Sequence, residues 1–323
     1  MTDSFTSDSP EVAVLVPCFN EASAVASVIN GFREARDGIT VYVYDNDSTD
    51  DTAAIARASG AVVRTELARG KGNVVRRMFA DIEADIYVLV DGDDTYDPAS
   101  MNSMIDALTD NHLDMVTGKR IEQHQDAYRF GHRFGNRLLA SLTRLLFGRQ
   151  SIDLLSGYRV MSRRFVKSFP AVSSGFEIET ELTIHALSLN LPIAEVATAY
   201  RERPADSTSK LNTYRDGVRI LSTILLFTKE ERPILFFTVL SVLLALLSLA
   251  LGVPVTIEYF ETGLVPRFPT AVLAASVMML AFSSFVTGMI LDSVARGRHE
   301  NKRLAYLGLP WLRDRRHHSP SNP

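Results

Sequence analysis

Four carboxylates, Asp91, Asp93, Asp94 and Asp97, stand within seven residues in Asp91-Gly92-Asp93-Asp94-Thr95-Tyr96-Asp97. Like charges this close repel one another, and a fold keeps them mainly where a cation neutralises them. Hard oxygen ligands in a loop suit Mg2+ or Mn2+, most often shared with a substrate phosphate. A solvated acidic turn is the bland alternative, and the preceding residues weigh against it. Ile86-Tyr87-Val88-Leu89-Val90 is apolar and mostly β-branched or aromatic, the pattern of a buried strand in a parallel sheet. Asp91-x-Asp93 then points two carboxylates out of a strand end, where open α/β sheets bind ligands.

The elements that must position this loop alternate strand and helix. Residues 12–17 read as a short buried strand, and Cys18-Phe19-Asn20-Glu21 leads into a helix over 22–35. A strand over 40–44 delivers a second acidic loop, Asp45-Asn46-Asp47-Ser48-Thr49-Asp50, in which Ser48 or Thr49 is placed to cap the helix that follows. A third strand covers 61–64, and Gly70-Lys71-Gly72-Asn73 opens a helix reaching about Ala84. This alternation predicts a doubly wound, mostly parallel α/β sheet with its loops gathered at one edge. Gly70-Lys71-Gly72 lacks the glycine spacing and the Ser/Thr of a P-loop. A glycine-rich helix start with a lysine can still hold a pyrophosphate.

Composition bounds the rest. A chain of 323 residues with 46% hydrophobic content has ample core for one large or two smaller domains. A net charge of -4 gives no sign of nucleic-acid binding. The single cysteine, Cys18, excludes an internal disulfide and a cysteine-based zinc cluster, and fits a reducing compartment. Residues 1–10 are polar, lack the apolar core of a signal peptide and read as a disordered tail.

Asp91-Gly92-Asp93-Asp94-Thr95 matches the nucleophile loop of haloacid-dehalogenase-type phosphatases, but there the motif opens the domain, whereas here three β/α units precede it. The chain more closely resembles a family 2 glycosyltransferase with a GT-A (Rossmann-like) fold. Val16-Pro17-Cys18-Phe19-Asn20-Glu21, the 45–50 loop, Arg69-Gly70-Lys71-Gly72-Asn73 and the Asp91/Asp93 pair carry that resemblance. It implies that Pro17, Asn20, Glu21, Asp45, Asp47, Lys71, Asp91, Gly92 and Asp93 bind a nucleotide-sugar, with Mg2+ or Mn2+ on Asp91 and Asp93. Asp45-Asn46-Asp47-Ser48 departs from the commoner Asp-Asp-Gly-Ser form, which leaves the base open.

The following segments choose the acceptor. Residues 114–120 read as a strand ending in Lys119 and Arg120. Over 127–147 a helix aligns Phe130, Phe134, Leu138, Leu142 and Leu145, with Arg129, Arg133 and Arg137 beside them, which suits either an anionic membrane surface or a core-packed helix with a solvated basic face. Asp153-Leu154-Leu155-Ser156-Gly157-Tyr158-Arg159 resembles the Ser-Gly-Tyr/Phe-Arg segment of the polyprenyl-phosphate glycosyltransferases, the dolichyl-phosphate-mannose-synthase-like group. Arg203, Ser209 and Lys210 resemble that group's acceptor loop. The resemblance implies a polyprenyl phosphate held by Arg120, Arg133, Arg137, Arg203, Ser209 and Lys210, with Asp91, Asp93, Arg120 and Arg133 as the catalytic set. Glu177, Glu181 and His185 share a helical face; dipole-favoured acids explain them more simply than a second metal site does. A strand near a sheet edge is expected over 193–200.

Residues 211–232 read as an interfacial amphipathic helix, and 234–253 and 270–291 as two uncharged transmembrane helices, each about 20 residues and so long enough for roughly 30 Å of hydrocarbon. One basic residue, Arg267, lies in the 254–269 linker, whereas Arg296, Arg298, Lys302, Arg303, Arg313, Arg315 and Arg316 follow the second span. The positive-inside rule puts both termini in the cytoplasm. The expected organisation is a tail (1–10), a cytoplasmic catalytic domain (11–210), the interfacial helix (211–232), a transmembrane hairpin (233–292) and a basic tail (293–323).

The reading is a membrane-anchored inverting glycosyltransferase that moves a sugar to undecaprenyl or dolichyl phosphate at the cytoplasmic face of the lipid bilayer. UDP-glucose or UDP-N-acetylglucosamine is the first choice of donor and GDP-mannose the second. A phosphatase and a non-catalytic nucleotide-sugar-binding membrane module are the alternatives from other classes. Self-association into a homo-oligomer stays open.

Overall fold

The computed structural model describes residues 10–122, 153–154, 156–175, 177–201, 229 and 232–312. The chain divides into two compact units, Met1–Thr213 with Lys302–Pro323, and Tyr214–Asn301.

The first unit carries β1 (Val12–Cys18), β2 (Thr40–Asp45), β3 (Val62–Thr65), β4 (Ile86–Leu89), β5 (Met115–Glu122), β6 (Arg159–Ser162) and β7 (Ile193–Tyr200). Among the described residues they form one sheet in the order β3-β2-β1-β4-β6-β5-β7. β6 runs antiparallel to β4 and β5, and the other neighbours pair in parallel. β1 lies in the interior of the sheet, between β2 and β4, because it is apolar on both faces. Val12, Val14, Val16 and Cys18 pack with Val28, Ile29 and Phe32 of α1 (Val25–Ala35) and with Met101 and Met104 of α4 (Ser100–Asp110). Ala13 and Leu15 point the other way, towards Val75 and Met78 of α3 (Lys71–Asp81), Phe165 of α5 (Arg163–Ser168) and Leu182 of α6 (Ile178–Ser188). Alternation with period two thus feeds two cores from one strand. Each fully buried Val or Leu contributes about 1.5–3 kcal/mol, which favours the centre of the sheet over an edge.

The expected strands at 12–17, 40–44, 61–64, 86–90, 114–120 and 193–200 are all present, and β7 is the edge strand. Helix α2 (Thr52–Ala58) is not capped by Ser48 or Thr49. Both are drawn back towards β1: Ser48 Oγ accepts the Asn20 N–H at 2.9 Å, and the Thr49 N–H donates to Asn20 Oδ1 at 2.8 Å. The end of the chain also belongs to this unit. Tyr306 donates to Asp114 Oδ2 at 2.7 Å beneath the Arg164 guanidinium, and the Trp311 indole N–H donates to Leu113 O at 2.9 Å.

The second unit holds α7 (Pro233–Thr262) and α8 (Phe268–Leu307), whose last turn from Lys302 belongs to the first unit. Both helices are long and apolar enough to cross a membrane. Small residues recur every seven positions at their contact. Ser241 Oγ and Ser248 Oγ each donate at 2.7 Å, to Ala281 O and Ala274 O, and a Cβ on Gly288 would lie 2.7 Å from Phe237 Cβ. Such spacing lets backbones approach closely in a lipid-compatible pair. The linker expected from Pro254 is shorter, because α7 continues through that proline to Thr262. Membrane-type helices tolerate a proline where neighbouring groups re-satisfy the freed carbonyl. The helix expected over 127–147 lies outside the described residues, as does that over 211–232 apart from Lys229 and Arg232, and so do Arg129, Arg133, Arg137, Arg203, Ser209 and Lys210.

Candidate active site

Register brings three loops to one edge of the sheet. Cys18 pairs with Asp45 and Leu15 with Leu89, so the chains leaving β1, β2 and β4 emerge side by side. Asp45 is buried, and one oxygen accepts from the Ser48 N–H while the other, Oδ1, has no hydrogen-bond partner among the described residues. A buried, unpaired carboxylate oxygen is costly and is suited to accepting a donor from a ligand. Asn46 ties the second acidic loop to the glycine-lysine turn. Its amide donates to Glu66 O at 2.8 Å and Ala68 O at 2.9 Å, and its oxygen accepts the Gly70 N–H at 2.7 Å. Asp47 pairs with Arg69 at 3.0 Å, whose guanidinium lies 4.4 Å from the centre of the Phe19 ring. The Glu21 N–H donates to Thr52 Oγ1, completing the brace between the first two loops.

Lys71 is the first residue of α3, and its side chain runs inward to both Asp91 and Glu179. Burial opposes its charge, but the two carboxylates outweigh that and hold its pKa well above the usual lysine value. Burial raises the pKa of Glu179, against the pull of Lys71. Asp91 also abuts Gly157, where an added Cβ would stand 2.2 Å from its Oδ2. The Gly157 N–H donates to Tyr96 Oη at 2.9 Å. Arg159, fully buried, fixes this turn by donating to Ser156 O at 3.1 Å, Leu154 O at 3.2 Å and Thr183 Oγ1 at 2.8 Å.

Asp93 is buried, with Oδ1 accepting from Thr95 Oγ1 at 2.6 Å. Asp94 accepts from Ser27, and Asp97 pairs with Arg201 at 3.3 Å, so the acidic run divides among different partners. Asp91 and Asp93 supply hard oxygens, and no group of three His, Cys, Asp or Glu gathers to hold a metal among the described residues. That donor set fits a divalent cation that takes its remaining ligands from a substrate diphosphate and water.

Arg120, at the far end of β5, is bound side-on to Asp153, Nε donating to Oδ2 at 3.0 Å and Nη2 to Oδ1 at 3.1 Å, and lies 5.6 Å from the Tyr200 ring. Asp153 is itself positioned, its N–H donating to Glu195 Oε1 at 2.6 Å. Glu177, Glu181 and His185 do not converge. Glu181 accepts the Val172 and Ser173 N–H groups, and His185 is buried against the Phe165 and Phe169 rings. The acid of α6 that reaches the site is Glu179, which the four-residue spacing passed over.

The mixed α/β sheet, with acidic loops and a lysine turn at the end of its parallel strands, is GT-A-like. Solved structures agree: glucosyl-3-phosphoglycerate synthase of Mycobacterium tuberculosis, in complex with Mn2+, UDP-glucose and phosphoglyceric acid, is 28% identical, with a TM-score of 0.52 over 67% of this chain and 79% of that one. The family model described as Glycosyl transferase family 2 matches residues 13–169. An uncharacterized protein of Shigella flexneri is 56% identical over 48% of this chain and 94% of its own length. A dolichyl-phosphate hexose transferase of Haloferax volcanii is 29% identical over 69% of this chain and 96% of its own. Residues 13–169 are a family 2 glycosyltransferase domain, and the protein is a glycosyltransferase. The phosphatase reading of Asp91 falls with that assignment. Helices α7 and α8 support membrane association.

Proposed function

We propose that the protein is a membrane-anchored, inverting glycosyltransferase that moves glucose or N-acetylglucosamine from a UDP-sugar to a polyprenyl phosphate, undecaprenyl or dolichyl, at the cytoplasmic face. The observation that carries the donor half is the juxtaposition of Lys71, Asp91 and the unpartnered Asp45 oxygen at one sheet edge. Asp45, Asp47, Asn20, Glu21 and Pro17 face the nucleoside in this reading, and Lys71 and Gly92 the diphosphate. Asp91 and Asp93 hold Mg2+ or Mn2+, which when bound neutralises charge on the departing diphosphate. The solved relative holding Mn2+ and UDP-glucose supports the metal and the choice of UDP. The dolichyl-phosphate hexose transferase supports the lipid acceptor.

The acceptor sets the mechanism. A phosphate monoester with a second pKa of about 6 is largely dianionic at neutral pH, so no strong base is required. One phosphate oxygen attacks the anomeric carbon in line, the bond from that carbon to the diphosphate oxygen breaks, and the nucleoside diphosphate departs with the electron pair. Catalysis rests on placement and on charge stabilisation. Arg120, Arg133, Arg137, Arg203, Ser209 and Lys210 receive the lipid phosphate. The proposed organisation is a catalytic domain over 11–210, an interfacial helix over 211–232, spans at 234–253 and 270–291, and a cytoplasmic basic tail over 293–323.

The test is transfer from radiolabelled UDP- and GDP-sugars to undecaprenyl phosphate by purified protein in detergent, with Mg2+ or Mn2+ and an EDTA control. A metal-dependent, organic-extractable labelled product identifies the reaction and the sugar. A product from GDP-mannose alone overturns the choice of base. Folded protein that binds nucleotide yet yields no product from any donor overturns the catalytic assignment in favour of a recruiting module.

A further inference from the structure

Helix α6 is buried on nearly every side: from Ile178 to Leu187 only Glu181 is partly exposed. Its carboxylates therefore act on the protein interior. Glu181 accepts the Val172 N–H at 2.9 Å and the Ser173 N–H at 2.7 Å, which fixes the irregular stretch ahead of the helix. The glycines of the lysine turn are pressed on that stretch. A Cβ on Gly70 would lie 2.2 Å from Ser174 O, and one on Gly72 would lie 2.1 Å from Ser173 O. Between these glycines Lys71 reaches Glu179 and Asp91, with Glu179 9% exposed and Asp91 28%. Glu179 is the inner partner and Asp91 the outer one.

We infer that Glu179 is a positioning residue for the donor: it shares the Lys71 ammonium with Asp91, so that Asp91 keeps carboxylate charge for the cation and diphosphate. The inference rests on the nucleotide-sugar reading of this site. An ammonium with one anionic partner settles wholly on it, whereas two partners divide its donors. Without Glu179, Lys71 competes with an incoming divalent cation for Asp91 at full strength.

The experiment is calorimetric titration of the full-length protein in detergent with UDP in the presence of Mn2+, and with Mn2+ at fixed UDP. Glu179→Gln, close in volume, should weaken UDP binding about tenfold or more, the worth of one charge-assisted hydrogen bond. It should also raise the Mn2+ concentration for half-saturation, and in transfer assays raise KM for the donor more than it lowers kcat. In a Lys71→Met background the same substitution should change UDP affinity by less than about twofold, because the coupled partner is gone. Unchanged UDP affinity in Glu179→Gln, or an equal loss in both backgrounds, overturns the inference alone. Wild-type protein that binds neither UDP nor GDP overturns the donor reading and the inference with it. If circular dichroism shows Glu179→Gln unfolded, Glu179→Asp, which keeps the charge at shorter reach, is measured for the same two constants under the same criteria.

Discussion

Replacing Gly157 by alanine tests whether the backbone opposite Asp91 sets the position of its carboxylate. The antiparallel register pairs Leu89 with Arg159, and continuing it two residues past the strand ends sets Asp91 opposite Gly157. A methyl at Gly157 would lie 2.2 Å from Asp91 Oδ2, 2.7 Å from Cγ and 2.9 Å from Oδ1. Ordinary contact distance is about 3.5 Å, so the carboxylate must retreat by roughly 1 Å. Gly157 is poorly placed to yield instead, because its N–H is bonded to Tyr96 and the buried Arg159 grips Ser156 O and Leu154 O. Its φ is not in the left-handed region, so the penalty comes from the contact rather than from backbone strain. Overpacking of this kind costs about 1–3 kcal/mol of stability, a lowered melting temperature in a protein that still folds. A 1 Å misplacement of a positioning group costs about a hundredfold in rate, or about 2.7 kcal/mol in the barrier. The assay is initial-rate transfer to polyprenyl phosphate alongside a thermal melt. A folded Gly157→Ala enzyme that works within about threefold of wild type refutes the reasoning.

Asp91→Asn should abolish transfer without unfolding the protein, and EDTA should do the same reversibly to the wild type; normal activity in a folded Asp91→Asn variant would sink the metal assignment. Arg159→Met should cost about 3–5 kcal/mol in denaturant melts, because Ser156 O, Leu154 O and Thr183 lose a buried charged donor together; a loss below about 1 kcal/mol contradicts that role. Burial, with Glu21, Asp45, Asp91 and Asp50 adding to it, pushes the Cys18 thiol well up. A thiol reagent at about pH 8 should therefore label native protein only at the rate of unfolding, and labelling as fast as a free thiol counts against a buried Cys18. Asp153→Asn should lower KM for the lipid phosphate and lower kcat, since Arg120 loses both its competitor and its brace; an unchanged KM removes Arg120 from the acceptor site.

The strands that carry acidic loops were legible because each is an apolar run long enough to show its period, and β7 was read to the residue. β6 was not, since Arg159-Val160-Met161-Ser162 begins with a charge and is too short to show alternation. Only its pairing with β4 and β5 makes it a strand, and that pairing is what delivers Gly157 to Asp91. Glu179 was missed for a related reason. Four-residue spacing finds the stripe of an amphipathic helix, but α6 is buried almost all round and has no stripe to find. The partner of Arg120 stands 33 residues away, beyond any local pattern.

Lys71 and Arg120 are each already engaged by carboxylates of the chain, Lys71 by Asp91 and Glu179 and Arg120 by Asp153. For a protein proposed to hold a diphosphate and a lipid phosphate, this sets what binding must accomplish. A buried cation left unpaired would cost several kcal/mol, so the free protein needs internal carboxylates in place of phosphate. Substrate then gains only the difference between a phosphate and a carboxylate partner, which favours selectivity over raw affinity. It also means the cations are held in position before substrate arrives, so little side-chain entropy is lost on binding. Burial argues for the same division of labour: Lys71 is 8% exposed and Arg120 22%, so neither is a flexible surface charge that collects any passing anion. On this reading the sheet edge supplies fixed, discriminating charges. Further attraction for the lipid phosphate would come from the arginine- and lysine-bearing stretches around Arg133 and Lys210.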